Sequence, residues 1–366
     1  MSGQMRGGIV AASAGLALAA CWSGEVQARE LAVAPLAWTP ISYRLEEQPA
    51  QQLTPPTLGA RLAANKLSVS RLEAGFDDEA LAAPSPALAQ GSYGPVDEGS
   101  PAPISGMDRS QYRSFGSQVG AIKWEMAAAV AYYTAVNGSK LTEHPIAPHV
   151  QTEGYFGRST RNLGVDKLAH VYSGYVVSEI LYARLKRKTG NAPGIQFTAA
   201  ALGLGIGLYS EFWDSIERSG GWSWEDVSMD AAGAAFSILR NSVPGLDRKL
   251  DYRLMIVPGA GGYRLSGKRH FEAQRYFFAL KLSGFDALER TPLRFVELHL
   301  GYRGKDFTNE DRAAGIKPQR RIFAGVGLNL RELFFKDSDS RFGRAAGEVL
   351  DYFQPPYTAY HADLTK

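Results

Sequence analysis

Three short runs hold the residues whose types and spacing could do chemistry: "DKLAH" at 166–170, "EFWD" at 211–214 and "WSWEDVSMD" at 222–230. Between them they supply Asp166, Lys167, His170, Glu211, Asp214, Asp226 and Asp230. Carboxylates with an imidazole are ligands for a divalent cation, and three carboxylates with one histidine suit Zn, Mn or Fe. His170, Glu211, Asp214 and Asp230 form that candidate metal set. The same residue types also move protons, when a carboxyl of raised pKa works beside a histidine. A third outcome is a buried ion network that only neutralises itself.

The elements that must position these groups are three helices, expected at 166–188, 197–217 and 224–240. At 100° per residue, Asp166, His170, Ser173 and Val177 share one face of the first. Gly203, Gly207, Glu211 and Asp214 share one face of the second, and Asp226, Asp230, Gly233 and Ser237 one face of the third. Each stripe carries ionisable residues at one end and mostly small residues along the rest. Small residues let helix axes approach closely, so these read as packing faces. The polar end is the N-terminus of the first helix, the C-terminus of the second and the N-terminus of the third. Short connections favour antiparallel neighbours, which brings the three polar ends to one pole. Asp226 is also placed as the N3 residue of a capping box begun by Ser223.

Other conspicuous residues have plainer readings. His144 and His149 lie in the proline-containing "EHPIAPH" and read as a fixed surface loop. The run "RLKRK" at 184–188 closes the first helix, where cations suit the dipole. The aromatics of "EFWD" and "GGWSW" suit either core or the floor of a pocket. Glycines 220 and 221 turn the chain between the second and third helices, and "GAGG" at 259–262 turns it between strands. HExxH, GxSxG and Walker signatures are absent from the sequence.

The 366-residue chain has 40 basic and 37 acidic side chains, so no single-sign field points to nucleic acid. Residues 1–28 read as an export signal: Arg6 precedes an apolar stretch too short to span a bilayer. Two cleavage sites compete, a lipobox "LAAC" ending at Cys21 and an ordinary "VQA" at 26–28. Cys21 is the single cysteine, which excludes a disulfide framework and favours lipidation. Residues 29–112 are rich in Pro, Ala, Ser and Gln and read as a disordered tether of about 80 residues.

From about residue 118 the pattern is helical, with a first helix stopped at Asn137 and Gly138, and residues 113–245 form a helical bundle domain. Residues 246–366 change to strand-like alternation at 275–285, 294–304 and 320–330, with a weaker pair at 252–257 and 262–267 and a last helix in "RFGRAAGEVLDYF". The expected class is α+β: a helical bundle with an appended antiparallel β-sheet. Five candidate strands are too few for an eight-stranded membrane barrel, so a twisted sheet on the helices is expected. The second helix has an apolar run of only about 13 residues, short of the ~20 a span requires, although partial insertion remains open.

The runs "GYFGRSTRNLGVDKLAHVYSGY" and "EFWDSIERSGGWSWEDVSMDAAGAAFS" resemble the YfiM-like predicted periplasmic lipoproteins, a family of unknown function. A weaker likeness is to VanZ-like membrane proteins, which share a DK-x-x-H opening. The first resemblance implies an envelope location, periplasm or outer membrane, and a lipid anchor. The sequence thus supports an exported, lipid-anchored envelope protein whose polar cluster serves helix packing or binds an ion, with a protein partner in the envelope possible. The alternative is a metal-assisted hydrolase or transferase acting on lipid or cell-wall material.

Overall fold

The computed structural model describes residues 108–142, 144–259 and 267–365. The expected export signal, Cys21 and the expected tether as far as residue 107 lie outside them, whereas residues 108–112, expected as the end of that tether, are within them. The chain enters with a 3-10 turn, Arg109–Tyr112, whose Ser110 N–H donates to the Asp108 carboxylate. Helices α1 (Phe115–Ala121) and α2 (Lys123–Asn137) follow, with Ser114 and Ser117 forming a capping box at the head of α1. One helix was expected through this region. Ile122 interrupts it, and its fully buried side chain explains why: the break turns it into the helical core.

The three long helices are α3 (Val165–Thr189), α4 (Ile195–Ser215) and α5 (Trp224–Ser242). Gly164 and Gly190 bound α3 in left-handed conformations (φ 83° and 63°), which glycine adopts without penalty. The three basic residues of its last turn, Lys186, Arg187 and Lys188, complement the carbonyl end of the dipole. Close approach is set by small residues. A Cβ at Gly233 of α5 would fall 2.0 Å from the Val171 carbonyl oxygen of α3, and one at Gly203 of α4 would fall 2.4 Å from Ser178 Oγ. A Cβ at Gly207 would meet the Asp230 carboxylate at 2.7 Å.

A one-turn helix α6 (Leu246–Lys249) leads into the sheet. The sheet is an antiparallel meander in the order β1-β2-β3-β4-β5: Leu250–Ile256, Gln274–Lys281, Val296–Lys305, Gln319–Leu328 and Ala359–Asp363. Short helices α7 (Lys268–Ala273), α8 (Asn309–Ala313), α9 (Leu330–Phe334) and α10 (Arg341–Leu350) join the strands. The α+β class expected from the sequence is therefore observed. The fifth strand is Ala359–Asp363, which the alternation did not flag, while residues 262–266 lie outside the described residues.

Helix α3 is the spine. One side packs Val177, Leu181 and Leu185 among α2 and α4, and the other packs Tyr175, Val176 and Ile180 against Tyr252, Leu254 and Tyr276 of the sheet. The sheet's other face inverts the usual pattern. Asp251, Arg253, Lys281, Glu297 and His299 are buried there beside Phe277, Ala279 and Phe323. Arg253 reaches Asp251 at 2.8 Å and Glu297 at 2.7 Å, and Arg240 of α5 links Asp251 to Glu179 of α3. Gln354 ties the first strand to the fourth: its amide donates to Leu254 O of β1 and its side chain to Leu328 O of β4.

Candidate functional site

The heads of α3 and α5 and the tail of α4 meet at one pole. At its centre Lys167, 1 % exposed, lies 2.6 Å from Glu153, 2.7 Å from Asp226 and 3.3 Å from Asp166. These three acids are close enough to hold a cation, and the Lys167 ammonium already occupies that role. Burial disfavours its charge, but Asp166 and Asp226 more than offset this and raise its pKa. Asp166 is itself raised, by burial first, with Lys167 acting against it.

Beside this trio stands a second one. His170, Glu211 and Asp230 each offer a ligand atom, and the three atoms lie within 4.8 Å of one another. His170 Nδ1 is 3.3 Å from Asp230 Oδ2, and its Nε2 is 3.4 Å from Asp226 Oδ1. Its ring is 28 % exposed yet deep enough that burial opposes its charge. The carboxylates of Asp230 and Asp226 outweigh that and raise His170 well above its ordinary value.

Glu211 is 1 % exposed and differs from the other acids in being half satisfied. Its Oε2 accepts the backbone N–H of Ser223 at 3.2 Å, while its Oε1 is buried with no hydrogen-bond partner among the described residues. Burial pushes its pKa up to about 8, with His170 pulling it down and Asp226 and Asp214 adding to the rise. The expected capping box is accordingly rewired. Ser223 Oγ does accept the Asp226 N–H, but the Asp226 carboxylate turns to Lys167 and Glu211 takes its place on the Ser223 amide.

The fourth expected ligand is elsewhere. Asp214 pairs with Lys140, which also holds Glu217 at 3.0 Å, and the Asp214 side chain is 38 % exposed. The helical wheel put Asp214 on the face of Glu211, but it sits a further turn along, where Lys140 reaches it. Glu153 and Lys140 were not foreseen: both lie outside the three helices, where periodicity says nothing. His149 is committed to the backbone, its ring nitrogens 2.8 and 3.0 Å from the carbonyl oxygens of Ser215 and Gly220. The aromatics divide: Trp213 is core, while Phe212 and Trp224 are exposed.

The fold and pole define a helix-bundle-and-sheet protein with a His/Glu/Asp centre between three helix ends. Residues 152–242, which contain α3, α4 and α5, match the family described as "Predicted periplasmic lipoprotein (DUF2279)". This is the class of periplasmic lipoproteins of unknown function that the sequence motifs resemble, and its description agrees with an envelope location. The likeness to VanZ-like proteins is not shown. No curated protein and no solved structure matches the chain. Among the described residues no helix is long and apolar enough to cross a membrane.

Proposed function

We propose that this envelope protein, anchored by a lipid on Cys21, binds one divalent cation at the pole through His170, Glu211 and Asp230. The observation that carries the reading is the buried, unpartnered Oε1 of Glu211 beside Asp230 and His170. An orphaned carboxylate oxygen in a buried site costs roughly 1–3 kcal/mol, and a cation would satisfy it. The contrast with the neighbouring acids supports this: they already have Lys167. Two carboxylates and a neutral imidazole suit Zn, Mn or Fe, and the proton that Asp230 and Asp226 favour on His170 would be released to solvent as the ion binds. Asp226, facing the far ring nitrogen of His170, would orient that ring as carboxylates orient metal-binding histidines.

In this role the cation joins the ends of three helices, and the protein is a non-catalytic envelope component. The second reading is metal-assisted hydrolysis or group transfer on lipid or cell-wall material. It is favoured by one feature: three protein ligands and a partly exposed His170 would leave a coordination position open, as catalytic zinc sites do.

Calorimetric titration of the chelator-stripped protein with Zn²⁺ and Mn²⁺ tests the proposal. One site per chain, weakened at least about tenfold in Asp230→Asn, is the expected result. Absence of binding to either ion would remove it. Hydrolysis of a lipid or peptidoglycan substrate that depends on the ion would select the second reading.

A further inference from the structure

The sheet face that α3 covers at Tyr252, Leu254 and Tyr276 continues uncovered across β3 and β4, where it carries the opposite chemistry to the charged face. Leu298, Leu300, Ile322, Val326 and Leu328 are each exposed by 44–54 %, and Phe278, 41 % exposed, borders them where its ring meets Phe236 of α5. The pairing register makes them neighbours: Phe278 lies opposite Leu300, and Leu298 opposite Val326. Buried polar side chains on one face and, beyond the part that α3 covers, exposed aliphatic ones on the other is the arrangement of a sheet whose open part meets an apolar medium.

A second observation lies at one end of the same strands. The start of β2, the end of β3 and the start of β4 are paired there, since Tyr276 faces Tyr302 and Lys305 faces Gln319. Arg312, Lys317 and Arg320 surround that end. Arg312 and Arg320 donate to the carbonyl oxygens of Thr160 and Phe156, which brings the loop of Arg158 and Arg161 to the same place. None of these five cations makes an ion pair among the described residues. Lys268 nearby has its pKa lowered, by burial first and then by Arg312 and Arg161, and the acids Glu272, Asp306, Glu310 and Asp311 stand at the same end.

We propose that the aliphatic outer face of the sheet and its basic end form a docking surface for an anionic lipid bilayer. The aliphatic side chains enter the acyl boundary and the guanidinium and ammonium groups meet lipid phosphates. Charge selects this occupant: an apolar face flanked by unpaired cations complements a negatively charged headgroup layer. The contact is independent of both the lipid on Cys21 and the cation site.

The test uses the full chain with Cys21→Ala, which removes the anchor, in co-sedimentation with phosphatidylethanolamine/phosphatidylglycerol vesicles and with phosphatidylcholine vesicles. Binding to the anionic vesicles only, falling with salt, is expected. Arg312→Gln with Lys317→Gln and Arg320→Gln should weaken it roughly 100-fold. Leu300→Asp with Val326→Asp should abolish it while circular dichroism shows an intact fold. Failure to bind the anionic vesicles would overturn the proposal, as would binding unchanged in the triple glutamine variant. A solution dimer lost in Leu300→Asp/Val326→Asp, without vesicle binding, would assign the face to a second copy of the chain and equally overturn it.

Discussion

The Glu211 carboxylate at the end of α4 accepts the backbone N–H of Ser223, the residue that caps α5, at 3.2 Å. One buried acid thus closes the turn between two helices and presents its other oxygen to His170 and Asp230.

That position makes stability depend on pH in a definite direction. The folded pKa of Glu211 is raised from 4.5 to about 8. Its contribution to stability is therefore fully present below pH 4.5 and is lost as pH rises through about 8. Glu211→Gln keeps an acceptor for Ser223 and has no proton to lose. In chelator, its stability relative to wild type should improve by roughly 2–4 kcal/mol between pH 5 and pH 9, read from urea denaturation. A variant that falls behind wild type as pH rises would contradict this.

Lys167 is expected to matter far more than Lys140. Lys167→Met leaves Glu153, Asp166 and Asp226 without their cation in a buried setting, at a cost of about 3–5 kcal/mol. Lys140→Met breaks a pair whose acid, Asp214, is 38 % exposed, and should cost about 1 kcal/mol or less. Equal losses in chemical denaturation would show that the pole is not organised around Lys167.

Two glycines one substitution apart in chemistry should respond with opposite signs. A Cβ at Gly233 would meet backbone, Val171 O at 2.0 Å and Tyr175 N at 2.6 Å, so nothing flexible can yield. Gly233→Ala should cost at least about 3 kcal/mol through forced separation of α3 and α5. Gly205, with nothing within 4 Å, should gain about 0.5–1 kcal/mol as alanine. Similar melting temperatures for the two variants would rule out the close helix contact.

The pole was legible because a period of 3.6 fixes which residues of a helix share a face, and short turns fix direction. Glu211, His170 and Asp230 could be gathered on that basis. Asp214 shows where it fails: sharing a face does not fix depth, and Lys140 comes from a segment that periodicity does not place. The sheet was legible as strands but not in its polarity. In "VELHLGY" the alternation marks two faces without saying which is buried, and here Glu297 and His299 are inside while Leu298 and Leu300 are out. That choice depends on Arg253, Asp251 and Gln354, contributed from far along the chain.

Bound metal per chain, in protein purified without chelators, tests the cation site most directly. Wild type and Asp214→Asn should each carry close to one divalent ion, since Asp214 faces Lys140, whereas His170→Ala and Asp230→Asn should carry little. Metal-free protein in all four, or loss in Asp214→Asn as complete as in Asp230→Asn, would contradict the site formed by His170, Glu211 and Asp230.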